Sequence, residues 1–423
     1  MPSIADPRAF LETLFYAAVA AADPDKALAA HLPEKPKGRT VVVGAGKGVA
    51  QMARAFERLW DEPLSGIVVT RYGYAVPCER IEVLEAAHPV PDESGLLAAE
   101  RLMAAVSGLT EDDLVVALVC GGGSALLPAP AGDLTLADEI AVNRALLASG
   151  APISAMNAVR KQVSRIKGGR LAALAYPARV VSLVVSDIPG DNPALVASGP
   201  TIADAARRVD ALEIITRYHL ELPEAVLRHL KDGKDEPPRP SDPRFAGNDV
   251  RLVASAAMAL EAAASVARKA GVEAIVLSDA IEGEASEVGR QHAAITSEIA
   301  RRGLSSQSPI VVLSGGETTV TIKGKGKGGR NSEFLLSFAC AISGQKGIAA
   351  LAADTDGIDG SEDNAGAFAD GTTVSRLADQ NKDAAEFLGR NDSWSAFAAL
   401  DDLFVSGPTG TNVNDFRAIL LNG

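Results

Sequence analysis

At 423 residues the chain is too long for one ordinary hydrophobic core, so its length predicts two domains. Apolar residues make up 47% and charged residues 22%, as in a soluble globular protein, and the formal net charge is −13. This acidic balance argues against a general nucleic-acid binder, which needs a broad basic face, but it leaves room for a local basic site that attracts a small anion.

The start of the chain predicts an amphipathic helix. The apolar stretch LFYAAVAAA has no basic region before it, and Asp6-Pro7 is typical of a helix N-cap followed by proline at the first helical position. No apolar run reaches the length of a membrane span. The three cysteines are far apart, which fits a reducing compartment and argues against a structural zinc site. We expect a cytoplasmic protein with no membrane segment.

Short β-branched runs alternate with Ala- and Leu-rich helical stretches along the rest of the chain. Several runs are continuously apolar, as strands buried on both faces of a parallel sheet are. The strand candidates are residues 40–44, 66–70, 114–120, 180–187, 250–255, 273–279, 309–315, 347–354 and 401–407. The pattern predicts two α/β domains with mostly parallel, wound sheets.

One segment, residues 231–249, is rich in proline and charge and shows no periodicity, so it is typical of a linker. Strands are predicted on both sides of it. We therefore predict an N-terminal domain at 1–235 and a C-terminal domain at 245–423.

Turns rich in Gly, Ser, Thr and Asp follow six of the predicted strands. They are GAGKG, GGGS, SDIPGD, SGGETT, ADTDGIDG and SGPTGTN. Ligands of open parallel sheets bind at the carboxyl ends of strands. Six such turns therefore indicate a backbone that lines a polar ligand.

The first turn, GAGKG, places Gly46 and Lys47 between a strand and a helix. It is not a G-x-G-x-x-G fingerprint, because position 49 is valine, and it lacks P-loop spacing. Lys47 is either a solvated lysine or a point charge on a phosphate or carboxylate.

The second turn, CGGGSALL, predicts an anion site. Gly121, Gly122 and Gly123 would present amide donors to a phosphate, with Ser124 opening a helix. The alternative is a tight turn that Ser124 caps. A nucleophilic Ser124 is disfavoured, because GGGSA does not match G-x-S-x-G.

The stretch NAVRKQVSRIKGGRLA (157–172) places Asn157 as a possible N-cap before Arg160, Lys161 and Lys167. A solvated basic helix face is the usual structure for such a run. In the loop that follows, Asp187 and Asp191 are candidates for a base or a metal ligand, or are simply turn formers.

The stretch TVTIKGKGKGGRNSEF (319–334) predicts a strand, a mobile glycine loop with four cations, and a helix. A loop that closes over phosphates gains from every cation, whereas a solvated hairpin gains nothing from like charges. Downstream, ADTDGIDG supplies Asp354 and Asp356 without EF-hand spacing. Cations beside aspartates are the residues that phosphoryl transfer needs.

As an ordered set, these motifs resemble the class II glycerate kinases that carry a C-terminal MOFRL domain. The resemblance rests on GAGKG, CGGGSALL, NAVRKQVSRIKGGRLA, SDIPGD, ASGPT, SGGETTVTIKGKGKGGRNSE, ALAADTDGIDG and GPTGTNVNDF, and it runs from about residue 8 to 420. It implies a MOFRL region at about 309–420, an active site in the cleft between two domains, and phosphorylation of glycerate at the 2-hydroxyl by ATP and Mg²⁺. Ser332 and Ser406 depart from the expected Gln and Thr, which puts local hydrogen bonds in doubt.

The resemblance also assigns residues. The essential lysine matches Lys47 and the essential arginine matches Arg330. With Asp187 as the expected base, these are the candidate catalytic residues. The candidates for substrate or phosphate binding are Gly46, Gly121, Gly122, Gly123, Ser124, Ser198, Gly199, Lys325, Lys327, Asn331 and Glu333. The candidate metal ligands are Asp191, Asp354 and Asp356.

Three other functions remain open from the sequence. A hydroxypyruvate reductase would need a dinucleotide fingerprint with an acidic residue about 20 residues after the glycines, and GAGKG lacks that spacing. A non-catalytic nucleotide-binding module would not need the aspartates, and a sugar-phosphate isomerase would act without ATP. We expect glycerate and a nucleotide as ligands, no nucleic acid, and leave a homodimer open.

Overall fold

The computed structural model describes residues 4–188, 190–233, 235–302 and 308–422. The chain divides into two compact units. The first unit is Pro24–Val253, and the second unit combines Met1–Asp23 with Ala254–Gly423. Each unit is built on a six-stranded sheet.

The sheet of the first unit has the strand order β3-β2-β1-β4-β5-β6. Its strands are β1 (Thr40–Ala45), β2 (Leu64–Arg71), β3 (Ile81–Ala86), β4 (Leu114–Val119), β5 (Arg179–Ser186) and β6 (Asp249–Ser255). The pairings among β1 to β5 are all parallel. Every residue of β1 and β4 is buried, which explains their unbroken apolar sequences.

The strand order reverses between β1 and β4, which lie side by side with Ala45 opposite Val119. Successive connections therefore leave this point in opposite directions, and a crevice opens beyond the strand ends. The turns GAGKG and CGGGS follow these two strands and meet there. The sequence-based expectation that they line one site is consistent with this topology.

The helices of the first unit follow or separate these strands. They are α2 (Pro24–Ala29), α3 (Val49–Leu59), α4 (Glu93–Ala105), α5 (Gly123–Leu126), α6 (Leu136–Ala148), α7 (Ile153–Gln162), α8 (Arg170–Ala175), α9 (Arg208–Arg217) and α10 (Glu224–Asp232). Short 3-10 turns lie at Val196–Ser198 and Pro243–Phe245. Helix α3 packs through an apolar stripe, with Phe56 fully buried and stacked on Trp60.

The sheet of the second unit has the order β11-β10-β9-β12-β8-β7. Its strands are β7 (Glu273–Glu284), β8 (Ile310–Thr319), β9 (Ile348–Asp354), β10 (Gly366–Asp370), β11 (Leu403–Phe404) and β12 (Asp415–Leu421). Only β7 and β8 pair in parallel, whereas β12 is antiparallel to both β8 and β9. The predicted α/β class is confirmed, and the mostly parallel arrangement holds for the first sheet while the second is mixed.

The insertion of β12 between β8 and β9 has a consequence for the site. Because β12 runs the other way, its first residue lies at the edge where β8 and β9 end. Asp415 is paired with Gly316 of β8 and with Asp354 of β9. Polar residues from three strands therefore share one edge of the second sheet.

The second unit has seven helices in its described part: α1 (Pro7–Ala21), α11 (Ala256–Lys269), α12 (Ala285–Arg301), α13 (Arg330–Ala341), α14 (Thr373–Asp379), α15 (Ala384–Gly389) and α16 (Ser393–Ala398). The predicted start of α1 is confirmed, since the Asp6 carboxylate accepts a hydrogen bond from the amide of Ala9. Its apolar face, with Leu11, Leu14 and Phe15 fully buried, packs within this unit. No helix in the described ranges is long and apolar enough to cross a membrane.

This division differs from the boundaries predicted at 1–235 and 245–423. The first helix belongs with the C-terminal sheet, and segment 231–249 lies inside the first unit, between α10 and β6. The reason is that β6 extends the first sheet, so the chain leaves that unit only after Val253. Proline and charge in this segment reflect a long surface connection, not a junction of domains.

Candidate active site

The three glycines of CGGGS leave room for side chains with chemical function. A Cβ atom added to Gly121 would lie 1.8 Å from Oδ2 of Asp187. One added to Gly122 would lie 2.9 Å from Cγ of Lys47 and 3.2 Å from Nε2 of His88. The side chains of Lys47, His88 and Asp187 therefore converge on this turn, at the carboxyl ends of β1, β3, β4 and β5.

The turn that carries Lys47 is fixed by backbone hydrogen bonds. The amide of Lys47 donates to the carbonyl of Gly121 at 2.8 Å, and the Thr70 hydroxyl donates to the carbonyl of Lys47 at 3.0 Å. The amide of Gly46 donates to Val69 at 3.2 Å, and a Cβ on Gly46 would lie 2.3 Å from Sγ of Cys120. Gly46 was predicted to bind phosphate. In the structure its amide is hydrogen-bonded to Val69, and Cys120 fills the space that a side chain would take.

His88 is a member of this group that the sequence analysis missed. Burial, followed by the positive charges of Lys47 and Arg71, lowers the pKa of His88 to about 4. The imidazole is therefore neutral near pH 7 and can donate one hydrogen bond and accept another. Only its place in the fold identifies it, because the sequence around it, AAHPVPD, matches no catalytic motif.

A chain of hydroxyl and amide groups starts at Ser124. Its Oγ lies 2.8 Å from Oγ of Ser198, whose hydroxyl donates to Oδ1 of Asn157 at 2.9 Å. Because Ser198 gives its one proton to Asn157, Ser124 must donate to Ser198. Asn157 lies in the middle of α7, which begins at Ile153, so the predicted N-cap role is wrong. Its side chain serves the site.

The residues around Ser198 adopt an uncommon backbone. Ala197, Ser198 and Gly199 have φ angles of 51°, 61° and 61°. For residues with a Cβ such left-handed conformations are costly and persist only where surrounding structure holds them. Here the amides of Gly168 and Gly169 donate to the carbonyls of Ser198 and Gly199 at 3.0 and 2.7 Å. The motifs KGGR and ASGPT thus brace each other behind Ser124.

The basic stretch 157–172 is not a solvated helix face. Lys161 and Lys167 are 1% exposed, and each forms an ion pair, with Asp204 and Glu139 respectively. Arg160 is 9% exposed. The helix is buried on this side because α6 and α9 cover it.

Arg330 occupies the corresponding edge of the second sheet. Its Nε donates to Oδ1 of Asp415 at 2.6 Å and its Nη2 to Oδ2 of Asp354 at 2.5 Å, while a Glu317 oxygen lies 4.0 Å away. Burial opposes its charge, but these carboxylates outweigh burial and raise the pKa of Arg330. The Arg330 side chain remains 24% exposed, so it can reach a ligand.

Asp415, which the sequence analysis missed, organises this edge. Its Oδ1 also accepts from the side chain of Asn331 at 2.8 Å, and its Oδ2 accepts from the amide of Thr318 at 3.1 Å and from Arg417. Burial acts to raise its pKa, but Arg417 and Arg330 outweigh that effect, so the pKa of Asp415 is lowered. Asn331 therefore contacts a structural carboxylate.

Two other acidic groups near Arg330 have structural partners. The Asp359 carboxylate accepts from the amides of Asn331 and Ser332 at 2.9 and 2.8 Å, so it caps α13. Both carboxylate oxygens of Glu333, a predicted ligand-binding residue, accept from Nδ2 of Asn391 at 3.2 and 3.1 Å.

The glycine-lysine loop lies along the turn at residues 390–394. Oδ1 of Asn391 accepts from the amides of Lys323 and Gly324 at 2.6 and 3.1 Å. A Cβ on Gly324 would lie 2.2 Å from the carbonyl oxygen of Arg390, and one on Gly326 would lie 2.4 Å from Cβ of Asp392. These glycines permit close contact with that turn. The loop, which was predicted to be mobile, is hydrogen-bonded to that turn in this structure.

The three lysines of this loop are exposed. Lys323 and Lys325 alternate with the glycines that face the turn. Nζ of Lys327 lies 3.3 Å from a Glu362 oxygen and 5.1 Å from the ring centroid of Trp394. The loop therefore presents a fixed row of positive charge to solvent.

The structure does not gather the predicted metal ligands into a cage. Asp191 belongs to the first unit, whereas Asp354 and Asp356 belong to the second. Over the described ranges, no group of three or more His, Cys, Asp or Glu side chains is placed to hold a metal ion. Oδ1 of Asp354 accepts from the amide of Asp356 and its Oδ2 from Arg330, so both of its oxygens are engaged.

Asp356 fits a metal better than Asp354 does. It is half-buried, and its Oδ1 accepts from the amide of Ile358 at 2.9 Å. Mg²⁺ usually takes one or two carboxylates and completes its shell with water and substrate phosphates. The residues present therefore fit an ion held jointly with a nucleotide.

Comparison with known proteins shows which families this chain resembles. The family model described as Domain of unknown function (DUF4147) matches residues 10–231, and that of the MOFRL family matches residues 310–415. A D-glycerate 2-kinase of Thermotoga maritima is 38% identical over 93% of each chain. The crystal structure of a Thermotoga maritima glycerate kinase superposes with a TM-score of 0.89 at 36% identity, covering 98% of this chain and 99% of the other.

The chain belongs to the glycerate kinase family with a MOFRL domain. A further relative, from Agrobacterium vitis, is 54% identical over 98% of this chain and 94% of its own, and is provisionally named a hydroxypyruvate reductase. Two names therefore occur among close relatives of this glycerate kinase family member.

The two departures from the family pattern are accommodated locally. Oγ of Ser332 accepts from the amide of Gly329 at 3.0 Å and contacts Oγ of Ser393 at 2.9 Å. The hydroxyl of Ser406 donates to the carbonyl of Gly407 at 2.9 Å. Each serine of this glycerate kinase family member is satisfied by neighbours next to the site.

Proposed function

We propose that this protein phosphorylates D-glycerate at the 2-hydroxyl with ATP, giving 2-phosphoglycerate and ADP. The observation that carries the proposal is the superposition of both units on a glycerate kinase over 98% of the chain. The convergence of Lys47, His88 and Asp187 on the CGGGS turn supports it with suitable chemistry.

Asp187 is the proposed base. A secondary hydroxyl needs a positioned carboxylate to accept its proton as the phosphoryl group arrives. The Asp187 carboxylate follows β5 and lies against Gly121, which follows β4. The ammonium of Lys47, on the other side of the turn, is suited to an anionic oxygen of the substrate or of the transferring phosphoryl group.

Arg330 is the proposed stabiliser of phosphoryl charge. Asp415 and Asp354 hold two of its nitrogens, which orients the guanidinium and fixes its charge. The lysine loop supplies long-range attraction for a polyphosphate. Mg²⁺, held by Asp356 and the nucleotide phosphates, would neutralise charge on the transferring group.

The alternative is an NAD(P)H-dependent hydroxypyruvate reductase. The name of the Agrobacterium vitis relative favours it, and so does the order 3-2-1-4-5-6 of the first sheet, which dinucleotide-binding folds share. The turn after β1 disfavours it. The space that Gly46 leaves is taken by Cys120, the third fingerprint glycine is replaced by buried Val49, and β2 ends at Thr70-Arg71 with no acidic residue for a ribose.

The test is a direct comparison of the two reactions. The protein is incubated with D-glycerate, ATP and Mg²⁺, and ADP is quantified. Adding enolase then identifies the product, because only 2-phosphoglycerate is dehydrated directly to phosphoenolpyruvate. Without the metal, the reaction should stop. Oxidation of NADH or NADPH by hydroxypyruvate, with no ADP formed from glycerate, would overturn the proposal.

A further inference from the structure

Arg160 is a buried arginine without a carboxylate of its own. It is 9% exposed, and within the described ranges no carboxylate oxygen lies within 4.0 Å of its guanidinium. Its Nε donates to Oδ1 of Asn143 at 2.9 Å, and its Nη1 donates to Oδ1 of Asn157 at 3.3 Å. Both partners are neutral amides, so the positive charge is solvated by dipoles alone.

The neighbouring cations show how unusual this is. Lys161 and Lys167 are more deeply buried than Arg160, and each has a carboxylate within an ion-pair distance. Glu139 is the acidic group closest in influence to Arg160, but it is already bound to Lys167 and to the amide of Ala129. One carboxylate thus serves two buried cations, and the cluster keeps a net positive charge.

A buried, uncompensated charge is destabilising by several kcal/mol, and an arginine does not lose its proton to escape that cost. Such a group persists where an anion from outside completes it. The fork of a guanidinium also matches the two oxygens of a carboxylate. The cluster therefore has the charge and the geometry of a receptor for a carboxylate.

Hydrogen bonds link this receptor to the proposed reaction site. Arg160 and the hydroxyl of Ser198 share Oδ1 of Asn157, and Ser198 contacts Ser124 on the helix that follows the three glycines. The left-handed backbone at Ser198 holds that hydroxyl in place. Three hydrogen bonds separate the guanidinium from Ser124, which follows the turn where Lys47 and Asp187 meet.

We propose that Arg160 binds the carboxylate of the substrate and so selects a short hydroxy acid over a neutral polyol. The inference rests on the proposed function for the identity of the substrate. It assigns the carboxylate to the α7 side of the turn, which leaves Lys47 for the oxygens of the transferring phosphoryl group.

The test measures binding without nucleotide, so it does not depend on turnover. Isothermal titration compares D-glycerate with glycerol, which lacks the carboxylate. Arg160→Gln should weaken D-glycerate binding about 100-fold and leave the response to glycerol unchanged. Arg144→Gln, at an exposed arginine of the adjacent helix α6, is the matched control and should bind as the wild type does.

A second variant guards against a folding defect in the first. Asn143→Asp places a carboxylate beside Nε of Arg160 and supplies the missing anion internally. It should raise the thermal midpoint and also weaken D-glycerate binding. Wild-type affinity in both Arg160→Gln and Asn143→Asp would overturn the inference. If the wild type binds no D-glycerate, the proposed substrate is wrong. If the variants lose binding and the wild type forms no ADP, the role of Arg160 as a carboxylate receptor is supported and the proposed kinase reaction is wrong.

Discussion

Asp415 stands directly opposite Asp354 in the pairing of β12 with β9, and both carboxylates bind the same guanidinium, that of Arg330. Two acids side by side would repel each other without a cation between them. Arg330, at the start of α13, therefore neutralises the two carboxylates at this sheet edge. The two carboxylates in turn fix the orientation of its guanidinium.

Substitutions at Arg330 should distinguish what its positive charge contributes to kcat from what the geometry of its guanidinium contributes. Arg330→Ala should lower kcat by about 10³ or more, the scale of an arginine that stabilises a transferring phosphoryl group. Arg330→Lys should recover only part of this loss, because one ammonium cannot span two carboxylates and a ligand. Initial rates of ADP release at saturating substrates measure both. Arg301→Lys, at an exposed arginine, is the control, and near-normal kcat in Arg330→Ala would place the site elsewhere.

The two acids of this edge should differ in their contribution to stability. Asp415→Asn removes a charged partner from both Arg330 and Arg417, so the free energy of unfolding should fall by roughly 3 to 5 kcal/mol. Burial raises the pKa of Asp354 well above its usual range, against the influence of Arg330, so its charged form contributes less. Asp354→Asn should therefore cost less than Asp415→Asn in urea denaturation. Equal or reversed costs would contradict this ranking.

Gly121→Ala should displace the carboxylate of Asp187 through the methyl group that it adds. The new Cβ would lie 1.8 Å from Oδ2 of Asp187, so the carboxylate must move. If Asp187 is the base, kcat should fall by about 10² or more, and combining the change with Asp187→Asn should add little. Gly247→Ala, where no atom lies within 4 Å of the new Cβ, is the control. Additive losses in the double variant would remove Asp187 from the role of base.

The lysine loop predicts an effect on nucleotide affinity. Alanine at Lys323, Lys325 or Lys327 should raise the KM for ATP, more at low salt than at high salt, and change kcat little. Gly326→Ala should raise the same KM and increase hydrogen exchange of the loop amides, because its Cβ meets Asp392 at 2.4 Å. Gly389→Ala, with open space around the new Cβ, should do neither. A salt-independent KM in the lysine variants would argue against electrostatic steering.

His292 should make the protein sensitive to acid. Burial lowers the pKa of His292 to about 4 from 6.5, while its ring contacts the carbonyl of Val288 and the hydroxyl of Ser314. The unfolded chain then binds this proton near pH 6.5 and the native protein does not, so stability is present above that pH and is lost as pH falls toward 4. Between about pH 7.5 and about pH 5 the loss should be about 2 kcal/mol.

The measurement is the urea midpoint at both pH values. His292→Gln should show a shallower dependence on pH than the wild type, because no proton is taken up at this position. His219→Gln, at an exposed histidine, should keep the wild-type dependence. Identical pH slopes for the wild type and His292→Gln would disprove the assignment.

Much of the first unit was predictable because its strands are continuous apolar runs and its ligand-lining turns follow them directly. The turns at Lys47, Gly121 and Asp187 meet because parallel strands end at one edge. His88 could not be found in this way. It follows β3, whose partly exposed sequence IEVLEA lacks the continuous apolar run that predicts the other strands, so the turn after it has no sequence signal.

The second unit was harder to predict for a topological reason. Asp415 begins a strand, so a search of strand carboxyl ends passes over it, and only the antiparallel direction of β12 brings it to the site. Asn391 organises the lysine loop through hydrogen bonds to backbone amides that lie 67 and 68 residues away, and such bonds leave no pattern in sequence. The alternating glycines of the lysine loop predicted a flexible loop, because glycine is favoured both where a backbone moves freely and where two backbones lie in close contact.

The membership of α1 in the second unit has a consequence for synthesis of the chain. The residues that form the first unit, Pro24–Val253, emerge from the ribosome after α1 and before the strands that α1 packs on. At bacterial and eukaryotic elongation rates this leaves the apolar face of α1 without its partners for roughly 10 to 50 s. The first unit can complete its sheet during that interval. Helix α1 is therefore synthesised before the first unit but packs on elements made after it, and a chaperone that binds nascent apolar helices has time to bind it in that interval.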